Sequence, residues 1–137
     1  VSTDKLLQDI LQGLKKPIAA LAFEVDSGNI AAAQYEGDQQ PPIQLTGELG
    51  DSLTCQPLLT LEALYRRCQK QTEVGSESIN EVVLLRSDTL ALALRGRKNP
   101  RYGFAAVRQP DDNLPTTVNR HRMLLLKHQA ALESDLP

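Results

Sequence analysis

Apolar residues recur at spacings of three and four from Leu6 through Leu7, Ile10 and Leu11 to Leu14, the repeat of one helix face. This predicts a first helix over residues 3–16. Ser2 or Thr3 is placed to cap it, Asp4 favours its first turn, and Lys15 and Lys16 suit its last turn before Pro17 stops it. Ile18 to Val25 then reads as a strand, and Ile30 to Tyr35 as its hairpin partner across Asp26-Ser27-Gly28-Asn29. Gly and Asn tolerate positive φ, while Asp and Ser bond back to the backbone, so this is a strong turn. Both strands are rich in alanine, a poor strand former whose small size lets a helix pack closely on a sheet.

The pattern breaks after Glu36. Gly37, Pro41 and Pro42 argue against continuing the strand. Residues 37–57 are expected to form an irregular insertion, with Ile43 to Thr46 as a short extra strand and Gly47 to Gln56 as loop. A second helix is predicted over 61–73, capped by Thr60 and ended by Gly75, with Leu61, Leu64, Tyr65 and Cys68 on one face.

Three strands follow. Ile79 to Arg86 contains Val82-Val83-Leu84-Leu85, apolar on both faces, while Thr89 to Arg95 alternates leucine with alanine. Tyr102 to Arg108 is the last strand. A closing helix is predicted over 115–134, with Pro115 in its first turn, Thr116 or Thr117 assisting as a cap, and a stripe through Val118, Arg122, Leu125, Leu126, Gln129 and Leu132. The expected fold is α+β, a five-stranded and mainly antiparallel sheet flanked by helices in the order α-β-β-α-β-β-β-α. At 137 residues the chain fits one domain, spanning 1–137.

This order resembles the Roadblock/dynein-light-chain family, whose fold is related to profilin-like and longin domains. Three local features carry the resemblance: the leader helix running straight into the strand Ile18 to Val25, the Asp26-Ser27-Gly28 turn, and the meander Val82 to Leu85, Thr89 to Leu94 and Tyr102 to Val107 before a closing helix. The insertion at 37–57 departs from the family's short connection. The resemblance implies a non-enzymatic dimerising adaptor. Family members bind small Ras-like GTPases, motor subunits or other Roadblock domains. It also implies pairing of two copies through the central helix and the next strand, here Leu61, Leu64, Tyr65, Cys68, Val82 and Leu84. The partner is then a second copy or a related domain, and a small GTPase or other signalling protein beyond it. The alternative is a small-molecule sensor of PAS-like or profilin-like fold, with a ligand enclosed between the sheet and the 37–57 segment.

Composition narrows the classes. Apolar residues make up 41% and charged residues 23%, enough for a core, while aromatics are only 4% and Trp is absent, so that core is aliphatic. No apolar run approaches the roughly 20 residues of a membrane span. The start, Val-Ser-Thr-Asp-Lys, lacks the basic then apolar pattern of a signal peptide, and the expected compartment is the cytoplasm. The net charge of −2 is unevenly divided: six Lys/Arg against twelve Asp/Glu in residues 1–85, nine against five in 86–137. Arg95, Arg97, Lys98 and Arg101, with Arg108 nearby, gather around one hairpin and form a candidate docking loop for an acidic partner. Nucleic acid is disfavoured because the whole chain is acidic and no binding motif is present.

Chemistry-bearing motifs are sparse. There is no G-x-S-x-G elbow and no P-loop, and Cys55 has no evident His partner. Two cysteines, Cys55 and Cys68, do not make a disulfide framework. His121 and His128 are seven apart on the closing helix, too far for one metal, and are expected to be solvated or capping residues. Neither an enzyme nor a cofactor or metal site is expected.

Overall fold

Three segments, residues 2–37, 43–53 and 80–137, are described by the computed structural model. Helix α1 spans Thr3–Gly13, with the Ser2 Oγ accepting from the Lys5 amide at 3.2 Å. It ends one turn earlier than the apolar spacing suggests. Lys15 and Lys16 therefore belong to the turn into strand β1 (Pro17–Glu24), and Lys16 takes a left-handed φ of 49° there. Strand β2 (Ile30–Tyr35) pairs with β1 across the expected turn. In that turn Gly28, at φ 72°, donates to the Glu24 carbonyl at 2.8 Å.

Strands β3 (Glu81–Leu85), β4 (Leu90–Arg95) and β5 (Tyr102–Arg108) form the expected meander, and helix α3 (Leu114–Asp135) closes it. The five strands lie in the order β2-β1-β5-β4-β3, and every neighbouring pair is antiparallel. β1 and β5 are thus interior strands, which explains their burial on both faces. The alanines do what their size suggests. Ala20, Ala22 and Ala106 lie under α1 and α3 on one face, and Ala19, Ala91, Ala93 and Ala105 face the other.

The other face holds the main departure. Ile43–Leu53 is a helix, α2, where a short strand and a loop were expected. Leu45, Leu49 and Leu53 repeat every four residues and are all buried against Leu21, Phe23 and Val107. Two glycines, Gly47 and Gly50, sit inside this helix. At Gly50 a Cβ would come within 2.3 Å of the Val25 carbonyl oxygen. Its glycine therefore permits close approach of α2 to the β1–β2 turn rather than a chain reversal. The element order holds among the described residues, with α2 as its second helix. The helix predicted over 61–73 lies outside the described residues.

In α3 the buried stripe keeps the expected Leu125, Gln129 and Leu132, but its first half runs through Thr117 and His121, one position before the expected Val118 and Arg122. Arg122 and Val118 are only half-buried and Leu126 is exposed. The rotation is stabilised by polar groups that find partners: Gln129 Nε2 donates to the Arg95 carbonyl at 2.8 Å. The cap is Asn113, whose Oδ1 accepts from the Thr116 amide at 3.4 Å, while the Thr117 hydroxyl donates to Asp111 at 2.7 Å.

Candidate functional site

Two surfaces draw together the residues singled out from the sequence. The first is β3. Among the described residues it has a strand neighbour on one side only. Val82 and Leu84 lie opposite Ala93 and Ala91 and pack, half-buried, onto the α2 face. Val83 and Leu85 project to the opposite side, where they are 43% and 51% exposed. A strand with one strand neighbour among the described residues and two exposed aliphatic side chains is a template for pairing. Its ends are tied down by charge: Arg122 makes a two-pronged ion pair with Glu81, with Nη2 to Oε2 at 3.1 Å, and Arg86 pairs with Glu48 of α2. Leu61, Leu64, Tyr65 and Cys68, assigned to the same face by resemblance, lie outside the described residues, as does Cys55.

The second surface is the β4–β5 loop. It is narrower than the sequence suggests. Arg95 is buried and extends to the other side of the sheet, where its guanidinium donates to the Leu53 carbonyl of α2. Arg108 is also buried, at the far end of β5, and pairs with Asp111 at 2.9 Å. Arg101 lies over the Tyr102 ring, 5.1 Å from its centroid, and donates to the Pro137 carbonyl at 3.2 Å. Arg97 and Lys98 are left exposed, without side-chain partners among the described residues. The basic tip is therefore these two residues, with Arg101 beside them.

What holds the tip is a residue that charge counting misses. Glu133 of α3, almost fully buried, accepts from the amides of Lys98 at 2.8 Å and Asn99 at 3.0 Å. A carboxylate taking two backbone N–H bonds is a strong anchor. The Glu133→Ala variant is expected to lose about 1–3 kcal/mol of stability, because two partly buried amides lose their acceptor. Glu133→Gln, which keeps a carbonyl acceptor, should lose less. Amide exchange at Lys98 and Asn99, faster in the alanine variant than elsewhere in the sheet, checks it.

Between α3 and the ends of β3 and β4 lies a groove of about 540 Å³, with Glu81, Leu94, Arg97, Arg122, Leu126 and Gln129 on its walls. It is not the enclosed pocket that the sensor alternative places between the sheet and the 37–57 segment. On that side, among the described residues, Leu45, Leu49 and Leu53 pack against the sheet. His121 and His128, expected to be solvated or capping, differ from each other. His128 Nδ1 lies 2.9 Å from the Leu124 carbonyl, whereas His121 is buried. No helix among the described residues is long and apolar enough to cross a membrane.

No family model and no curated protein sequence matches the chain. Its structure, however, is similar to solved ones over almost its whole length. A Roadblock/LC7 domain from Streptomyces avermitilis aligns at TM-score 0.55 and 13% identity, covering 97% of this chain and 99% of that one. The gliding protein MglB from Thermus thermophilus aligns at TM-score 0.64 and 13% identity, covering 98% and 90%. An MglB in a tetrameric arrangement aligns at TM-score 0.63 and 12% identity, again covering 98% and 90%. What is shared at such identities is the backbone path: this chain has the α+β fold of Roadblock domains.

Proposed function

We propose that the chain is a non-enzymatic, dimerising adaptor or regulator. A second copy, or a related Roadblock domain, pairs along β3, and a small Ras-like GTPase or other acidic signalling partner docks at Arg97, Lys98 and Arg101. The carrying observation is the β3 edge, where Val83 and Leu85 stand exposed and the strand has a single strand neighbour among the described residues. Pairing there would cover aliphatic surface and satisfy the strand at once, in a self-complementary contact related by a two-fold axis. Following the family resemblance, the proposed face also takes in Leu61, Leu64, Tyr65, Cys68, Val82 and Leu84. The shared fold supports this role, as does the tetrameric arrangement of one MglB, which shows self-association in that protein.

Molar mass by light scattering across a range of concentrations tests it. The expected result is a stable mass near twice 15.1 kDa. The double variant Val83→Glu, Leu85→Glu is expected to be a folded monomer, since both side chains are exposed and their replacement leaves the core intact; its unfolding should not depend on concentration, whereas that of the dimeric wild type should. A wild-type monomer at every concentration would overturn the dimer. A double variant that remains dimeric would remove β3 from the interface.

A further inference from the structure

His121 is only 2% exposed, and neither of its ring nitrogens has a hydrogen-bond partner. A neutral imidazole always carries one N–H donor and one acceptor nitrogen. Leaving such groups buried and unpaired is costly, and native proteins usually resolve it with a bound water or ion. Here a small cavity is available. It has a volume of about 80 Å³ and lies where the turn after α1 meets α3, lined by Lys15, Arg108, Arg120 and His121 together with Gly13 and Leu14.

The cations around it are unequally balanced. Arg108 is neutralised by Asp111, 2.9 Å away. Lys15 and Arg120 have no partner among the described residues. The turn that carries Lys15 is pinned in place, because the Lys16 carbonyl accepts from the Gln109 amide at 3.1 Å just beyond β5. The C-terminal end of α1 brings a partial negative charge of about half a unit, which opposes an anion. Two uncompensated full positive charges outweigh it.

We infer that this cavity binds one tetrahedral oxyanion, a phosphate or sulfate group, held by Lys15, Arg120 and the His121 imidazole. The donor set suits oxygen: a guanidinium fork and an ammonium supply charge-assisted hydrogen bonds, and the ring N–H supplies direction. The volume admits the anionic group alone. Any esterified body must lie outside, so the same chemistry serves free inorganic phosphate or the head of a phosphate monoester. This site is separate from β3 and from the β4–β5 loop and does not depend on the adaptor role.

Imidazole NMR reads it directly, because the chain has two histidines and His128 serves as the internal control. With chloride holding ionic strength constant, added sulfate should shift the His121 signals saturably and leave those of His128 unmoved. The double variant Lys15→Met, Arg120→Met alters exposed side chains and should weaken the response at least about tenfold through loss of two charge-assisted contacts. The double variant Arg97→Gln, Lys98→Gln should bind as the wild type does. Comparing inorganic phosphate with glycerol 3-phosphate separates the sources: equal binding supports the phosphate group wherever it is carried, and preference for the inorganic ion supports the free anion. Absence of a saturable His121 shift with any of the three, or an unchanged affinity in the Lys15/Arg120 variant, would overturn the site.

Discussion

The variant His121→Leu is expected to be less acid-sensitive than the wild type by about 3 kcal/mol between pH 7 and pH 4. Burial pushes the His121 pKa from 6.5 down to about 4, the nearby positive charge of Arg108 pushes the same way, and Asp111 opposes them. In the folded chain the ring therefore stays neutral until about pH 4, whereas in the unfolded chain it takes up its proton near pH 6.5. The unfolded state binds more protons across that window. The stabilising contribution is complete above pH 6.5 and is lost as pH falls towards 4. Leucine has no proton to gain, so the wild-type-minus-variant stability should fall across this window. The Thr3 hydroxyl and amide hold the Asp135 carboxyl below its ordinary value, and the Thr117 hydroxyl, then Arg108, do the same for Asp111. Both make the fold acid-sensitive, but at lower pH and in wild type and variant alike. Urea unfolding at several pH values, in buffers free of phosphate and sulfate, measures the difference. Parallel stability–pH curves for the two proteins would contradict a buried neutral His121.

Alanine at Gly50 and alanine at Gly47 should act in opposite directions, although both glycines lie inside α2. At Gly47 a Cβ meets nothing within 4 Å. There alanine should stabilise by up to about 1 kcal/mol through helix propensity. At Gly50 the same Cβ would be 2.3 Å from the backbone oxygen of Val25. Backbone cannot rotate away as a long side chain would, so α2 must lift from the β1–β2 turn, at a cost of about 1–3 kcal/mol from overpacking. That movement also disturbs Leu45, Leu49 and Leu53 on the sheet, and the Arg95 bond to Leu53. Thermal and urea melts of the two variants measure the effect. Stabilisation by Gly50→Ala would show that α2 is not held against Val25.

The same helix shows how far local pattern reaches. Its leucines at 45, 49 and 53 carry a helical repeat in plain view. Gly37 and the prolines just before the helix obscure that repeat, and Gly47 and Gly50 weaken any helix that local propensity alone would support. The compensating reason is a carbonyl on a distant turn. The closing helix makes the same point in milder form. Its apolar spacing places it correctly, but the face it buries is set by long-range partners. Gln129 reaches the Arg95 carbonyl and Glu133 the loop amides. The basic hairpin likewise looks uniform in sequence. Yet strand alternation sends Arg95 through to the α2 face, while Arg97 and Lys98 lie in the loop beyond the end of β4 and stay exposed.

The sequence by itself determined the element order, the antiparallel meander, the Asp26-Ser27-Gly28-Asn29 turn, and the use of alanine under packed helices. These follow from periodicity and turn chemistry, which act between residues near each other in the chain. Only the tertiary structure decided that β3 lies at an edge, that Gly50 belongs to a helix, that Glu133 anchors the basic loop, and that His121 is buried without a partner beside Lys15 and Arg120. Each of those depends on a neighbour far away in sequence, and burial, pairing and close approach are properties of the packed chain rather than of any local segment.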